Sequence, residues 1–200
     1  MSFFKKIFGH AEEPPESEKH SEHNGLTEKN IYSMEEIFSL EFKKNGGKFL
    51  YCENLDELNH HFEDILEEND WFEADVLCYE QKLFGLLTDN NLKFSAPTAP
   101  KFLFSSCENL IADEGSILLC SNQIKEFKPQ DLPSSIVVFA RTSQIVSDKT
   151  IGMSELQKRY KNGYPSNITT IKYFEKAKVE DFLQYGSVAK NVYLLLLEDL

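Results

Sequence analysis

Arginine is nearly missing from this chain: Arg141 and Arg159 are the only two in 200 residues. Acidic residues outnumber basic ones by 33 to 21, for a formal net charge of −12. Gripping nucleic acid takes clustered Lys and Arg to neutralise phosphates, so this balance argues against DNA and RNA as partners. Long apolar runs are lacking too. None approaches the roughly 20 residues needed to cross a bilayer, and no signal peptide is apparent.

The four cysteines, Cys52, Cys78, Cys107 and Cys120, form no C-x-x-C pair. That spacing argues against a zinc ribbon, an iron–sulfur cluster or a thioredoxin-like dithiol. Reduced thiols in a cytoplasmic protein are the expectation. No Walker A loop, G-x-G-x-x-G turn or G-x-S-x-G elbow occurs, which removes the common nucleotide and α/β-hydrolase chemistries. Glu57 with His61, and His60 with Asp64, stand four residues apart on a predicted helix. They lie on different faces and no third ligand motif accompanies them, so neither a metal nor another cofactor is expected.

What the chain does hold is apolar residue, 41% of the total, with sixteen Phe. The division expected from composition has three parts. Residues 1–9, "MSFFKKIFG", place Phe4, Ile7 and Phe8 on one face of a very short amphipathic helix, with Phe3 beside them. Residues 10–30 carry charge, two prolines and almost nothing apolar, the composition of a flexible tether. Residues 31–200 form the folded domain. The aromatic segment suits contact with a membrane or a partner through Phe3, Phe4, Ile7 and Phe8, although nine residues bind weakly alone. A frayed terminus, or a fold-back on its own domain, accounts for it equally simply.

From Ile31 helical and extended patterns alternate. Ser33 and Glu36 make a capping box for a helix that stops at Gly46-Gly47. "KFLYC" predicts a strand. Leu55, Leu58, Phe62, Ile65 and Leu66 then form a helical stripe opposite a charged face. "ADVLCY" and "KFLFS" read as strands around a helix in "EQKLFGLLTDN". "CENLIAD" reads as two helical turns, and "GSILLC" and "SIVVFA" as strands. "DKTIGMSELQKRYKNG" and "KVEDFLQYG" predict helices, "NITTIKYF" and "NVYLLLLEDL" extended chain. Continuous apolar strands separated by helices predict an α/β protein with a mostly parallel sheet covered on both faces.

Ligands of open α/β sheets sit at the carboxyl ends of strands. That rule selects Ser105-Ser106, Ser121 with its neighbours Asn122 and Gln123, Arg141-Thr142-Ser143 and the region after Ile171, whose hydroxyls, amides and one arginine suit a small anionic or a polyhydroxy ligand. Polar turns at strand ends are the plain alternative. Glu114, ahead of Gly115-Ser116, is a candidate nucleophile if its turn exposes it. The alternative is an ordinary turn carboxylate, since no His, Lys or Tyr stands near it in sequence as an activator.

The segments "CENLIADEGSILLCSNQ", "LPSSIVVFARTSQIVSD", "SNITTIKYFEKAKVEDFLQYGS" and "NVYLLLLED", in this order, resemble the LUD domain, the family of lactate-utilisation protein C. The resemblance covers residues 95–200 well and 31–94 by general pattern. It implies a three-layer α/β/α sandwich of the NagB/RpiA/CoA-transferase-like kind. It also implies an accessory or regulatory role in oxidising lactate or a related organic acid to its oxo acid, beside iron–sulfur oxidoreductase subunits. The family's Thr-Gly-Thr turn corresponds to Glu114-Gly115-Ser116, so Gly115 and Ser116 carry over as ligand-contacting positions and Glu114 departs. The family's later arginine- and histidine-bearing motifs correspond to "YFEKAKVED" and "YGSVAKN", where both residues are gone. The chain therefore resembles a divergent member whose ligand site is altered or lost. Two other functions follow from the same residues: a CoA-transferase-like or sugar-phosphate-isomerase-like enzyme using Glu114, with Arg141 holding an anion, and an adaptor docked through residues 1–9.

Overall fold

The chain divides into a unit spanning Met1–Tyr32 and another spanning Ser33–Leu200. The structure, a computed structural model, describes residues 32–174 and 189–199. The predicted amphipathic segment, its tether, the predicted helix "KVEDFLQYG" and most of the two departing motifs lie outside the described residues.

Among the described residues, the central sheet of the second unit has five strands: β1 (Lys48–Cys52), β2 (Val76–Leu77), β3 (Phe102–Ser106), β6 (Ser135–Arg141) and β9 (Asn191–Leu197). Their order is β1-β9-β6-β3-β2, and every pairing is parallel. Parallel sheets need both faces covered, and here alternate residues are buried on both. One face carries Phe102, Phe104, Val137, Tyr193 and Leu195, packed with Leu58, Phe62, Ile65 and Leu66 of α2 (Leu55–Asn69). On the other face Phe49 meets Phe42 of α1 (Met34–Lys44), and Leu103, Ile136, Val138, Leu194 and Leu196 are buried. Each such side chain contributes roughly 1.5–3 kcal/mol by leaving water. This is the predicted α/β architecture, with helices flanking a mostly parallel sheet.

The capping box forms where the sequence places it. The Ser33 hydroxyl accepts from the Glu36 amide, and the Glu36 carboxylate accepts from the Ser33 amide at 2.7 Å. Asn54 caps α2 through the Glu57 amide. Leu55, expected on the α2 stripe, is exposed, because it occupies the first helical position, before the stripe turns inward.

One expectation is corrected. "CENLIAD" is not helical: Asn109–Ile111 is a strand, β4, paired antiparallel to β5 (Ser116–Leu119). Two isolated turns of helix are unstable in water, whereas the hairpin partner satisfies this backbone at once. The hairpin belongs to a second sheet of order β7-β4-β5-β8, with β7 Ile145–Val146 and β8 Thr169–Ile171. α5 (Lys149–Arg159) lies on that sheet through Gly152. A Cβ there would stand 2.9 Å from Ile111 Cδ1, so glycine permits the close approach.

Candidate functional site

The β4–β5 hairpin brings the two ends of "ENLIADEGSILLC" together and sets its turn apart from them. The turn, from Ala112 to Gly115, docks on α1. Gly115 has φ +57°, and a Cβ on it would lie 2.3 Å from the Glu41 carbonyl carbon and the Phe42 nitrogen. Asn45 Nδ2 donates to the Glu114 carbonyl at 2.7 Å, and the Ser116 hydroxyl donates to the Glu114 carboxylate at 3.2 Å. Glycine is needed here for close approach of the chain to itself. Glu114, Gly115 and Ser116 thus stand together at a helix-docking turn.

Where the two ends meet, the hairpin carries a bulge. The Glu108 amide donates to Leu118 O at 2.9 Å, although the register pairs Leu118 with Asn109, so two residues face one. A bulge re-aims the side chain beside it. Glu108, only 2% exposed, is turned into a polar network. Its Oε1 accepts from Gln123 Nε2 (3.0 Å), Tyr160 Oη (3.0 Å) and Cys120 Sγ (3.1 Å), and its Oε2 from Arg159 Nη1 at 2.5 Å. Burial alone would push this carboxyl up, but the bonds from Gln123, Cys120, Tyr160 and Arg159 outweigh it and hold it below the ordinary value. Glu108 is therefore a fixed anion with its acceptors occupied, suited to orienting groups rather than to accepting a proton.

Arg159 ends α5 and Tyr160 caps it, so the helix that Gly152 seats against Ile111 delivers both to Glu108. The Tyr160 hydroxyl also accepts from Asn122 Nδ2 at 2.8 Å. Burial first, then the Glu108 charge, pushes its pKa up to about 12. Burial likewise raises Cys120 to about 12 and lifts Cys107 further, which leaves both as neutral thiols and no thiolate nucleophile there.

These groups line one side of a cavity of about 740 Å³. The other side comes from the carboxyl ends of the central strands. Ser106 ends β3, Arg141 ends β6 beyond the partly buried Phe139, and Glu80, Gln81 and Lys82 follow β2. Glu80 holds the corner: its carboxylate accepts from the Ser106 amide and hydroxyl, both at 2.6 Å, and pairs with Lys82 Nζ at 3.1 Å. Gln144 braces the roof by donating to Cys107 O at 2.7 Å. Arg141 is half exposed, and its guanidinium lies 3.7 Å from Asp199. That carboxylate takes the Thr142 hydroxyl, the Ser143 amide and the Ser143 hydroxyl at 2.7–2.9 Å.

Four basic side chains, Lys82, Lys125, Arg141 and Arg159, line this cavity against two acidic ones, Glu80 and Glu108. In a chain of net charge −12 that is a local reversal of sign, and both of its arginines belong to it. Low-dielectric walls strengthen such a field, so the arrangement suits a small anion with further hydrogen-bonding groups.

Of the sites selected from sequence, Ser106 and Arg141 line the cavity together. Ser105 lies just behind, its hydroxyl donating to Ser106 O at 2.6 Å, and Thr142 is tied to Asp199. Ser121 opens a short helix, α4 (Ser121–Ile124), and its amide donates to Ser166 O; its neighbours Asn122 and Gln123 reach the cavity. Glu114, Gly115 and Ser116 are not among the lining residues. Sequence reasoning missed Glu80, Lys82, Glu108, Lys125, Gln144, Arg159 and Tyr160. One signal was available: the second of only two arginines.

No family model matches the sequence, and no curated protein matches it either. Among solved structures, a DUF162 family protein from Deinococcus radiodurans superposes with a TM-score of 0.58 at 13% sequence identity. The match covers 84% of this chain and 99% of that one, and it shows that the two share a fold.

Proposed function

We propose that this protein is a LUD-like binder of a small organic acid, an accessory or regulatory component in the oxidation of lactate or a related acid beside iron–sulfur oxidoreductase subunits. The observation that carries the binding part is the convergence of both arginines on one cavity at the carboxyl ends of β3 and β6. DUF162 is the LUD-like family, so the shared fold supports the family part.

In this reading Arg141 is the free-ended group that takes the acid's carboxylate. It is 52% exposed, and at 3.7 Å its contact with Asp199 is long enough to exchange for a ligand. Arg159 and Tyr160 are held in the cavity lining by Glu108, and Ser106 by Glu80. The Arg159 guanidinium keeps N–H groups beyond the one given to Glu108 and is a preorganised donor that spares a ligand part of the cost of ordering it. The Tyr160 and Ser106 hydroxyls, whose protons go to Glu108 and Glu80, are left to accept.

Isothermal titration with lactate and pyruvate tests the reading. Binding is expected, weakened about ten- to a hundredfold in Arg141→Gln, the loss that follows from removing a charge-assisted hydrogen bond of about 1.5–3 kcal/mol. Failure of these acids and of their longer-chain homologues to bind, or equal affinity in Arg141→Gln, overturns it. A native pull-down that recovers iron–sulfur oxidoreductase subunits supports the partner assignment, and one that recovers none counts against it.

A further inference from the structure

We infer that the acid held in this cavity carries an apolar tail, and that the tail lies in a second cavity on the far side of Tyr79. The inference rests on the acid-binding reading above and names the class of acid.

The second cavity has a volume of about 720 Å³. Its walls include Leu77, Cys78, Phe94, Pro97, Phe127 and Leu132, and its one acidic residue is Asp131. Tyr79 lines both cavities. Two segments of chain pass from one to the other. Along the first, Leu77 and Cys78 face the apolar cavity, and Glu80, Gln81 and Lys82 the polar one. Along the second, Lys125 belongs to the polar cavity and Phe127 to the apolar one. At the boundary the Tyr79 and Phe127 rings stack with centroids 6.5 Å apart, and Lys125 Nζ stands 5.3 Å from the Tyr79 ring centre. A cation over one side of an aromatic wall and apolar carbon along the other is the pattern that an amphipathic anion matches.

A three-carbon acid would occupy only the cationic cavity. A medium-chain acid would put its carboxylate among Arg141, Lys82 and Lys125, cross the Tyr79 ring, and bury its methylenes against Phe94, Phe127 and Leu132. A dicarboxylate is disfavoured, because its second charge would enter an apolar space where the one charged lining residue among those described is Asp131, itself an acid. The shape thus selects a monocarboxylate with an apolar side chain over a compact or doubly charged acid.

The test is titration of the full chain with straight-chain 2-hydroxy acids from lactate to 2-hydroxydecanoate. The dissociation constant is expected to fall about two- to fourfold with each added methylene that reaches the second cavity, the factor set by the free energy of burying a methylene. Phe127 is 41% exposed, so Phe127→Ser can remove the boundary ring with little effect on the core. In that variant the steepness of the series should drop. Lactate binding with a flat series in the unaltered protein overturns this inference and leaves the acid site standing. A steep series that Phe127→Ser does not change also overturns the placement of the tail. Failure of every member to bind overturns both readings.

Discussion

The Glu108 carboxylate sets the geometry of one cavity wall, and replacing it with glutamine separates its charge from its shape. Glu108→Gln keeps the side-chain size but removes the charge that receives Arg159 and three other donors. Charge-assisted bonds are worth about twice neutral ones. The amide also turns one acceptor oxygen into a donor facing donors. Breaking a buried ion pair costs about 3–5 kcal/mol when the survivor stays buried. Here the survivor is Arg159, 42% exposed and able to regain water, so the expected loss is smaller, about 2–3 kcal/mol. Urea denaturation at pH 7 measures it, and a double-mutant cycle with Arg159→Met should return a coupling of about 1–3 kcal/mol. The pH dependence supplies a second readout. The folded carboxyl sits below its ordinary value of 4.5, so on acidification the unfolded chain takes the proton first. The Glu108 contribution is therefore complete above the unfolded pKa and is lost as pH falls through the lower folded one. Wild type and variant should converge in stability as pH drops below about 4. Equal stability at pH 7, or a gap that does not narrow in acid, would refute the assignment of Glu108 as a charged anchor.

Gly115→Ala should destabilise the domain by about 3 kcal/mol or more, since it adds left-handed backbone strain to a clash with the α1 backbone. Thermal unfolding checks this, and a melting temperature within a degree of wild type would mean that the turn does not dock as described. The four cysteines are all buried and free, with burial pushing Cys52 and Cys120 up to about 12 and Cys78 to about 11. A disulfide exchange reagent at pH 8 should therefore react slowly with the native chain and rapidly after urea unfolding. A fast thiol in the native protein would contradict their placement.

The central sheet was legible because its signals are redundant. Ile136–Ala140 and Val192–Leu197 are apolar at successive positions, which only a strand covered on both faces explains at that length. The capping box at Ser33 rests on local hydrogen bonds that a few residues specify. The β4–β5 hairpin was not legible in full, because "ENLIA" satisfies a helical and an extended pattern equally. The pairing with β5 that decides between them is a tertiary fact. The same holds for the cavity. Ser106 and Arg141 followed from the rule that ligands gather at strand ends. Arg159 and Tyr160 arrive from the far end of α5, fifty residues from Glu108, and no spacing in the sequence announces that meeting.

Buried charge makes the case for a built site stronger than polarity alone. Apolar side chains of similar volume in place of a buried ion pair are often as stable or more so. Stability therefore does not account for pairing Glu108, at the base of a hairpin that buries Leu110, Ile117 and Leu119, with Arg159 at the end of α5. What an apolar pair cannot do is fix a guanidinium and a phenolic hydroxyl at a cavity wall, and the bulge at Glu108 has the same consequence for the backbone. The turn at Glu114, by contrast, is explained by α1 docking on it. Of the two glutamates in one short stretch, the one with a structural partner for its backbone carries the fold. The one buried at an energetic cost carries the site.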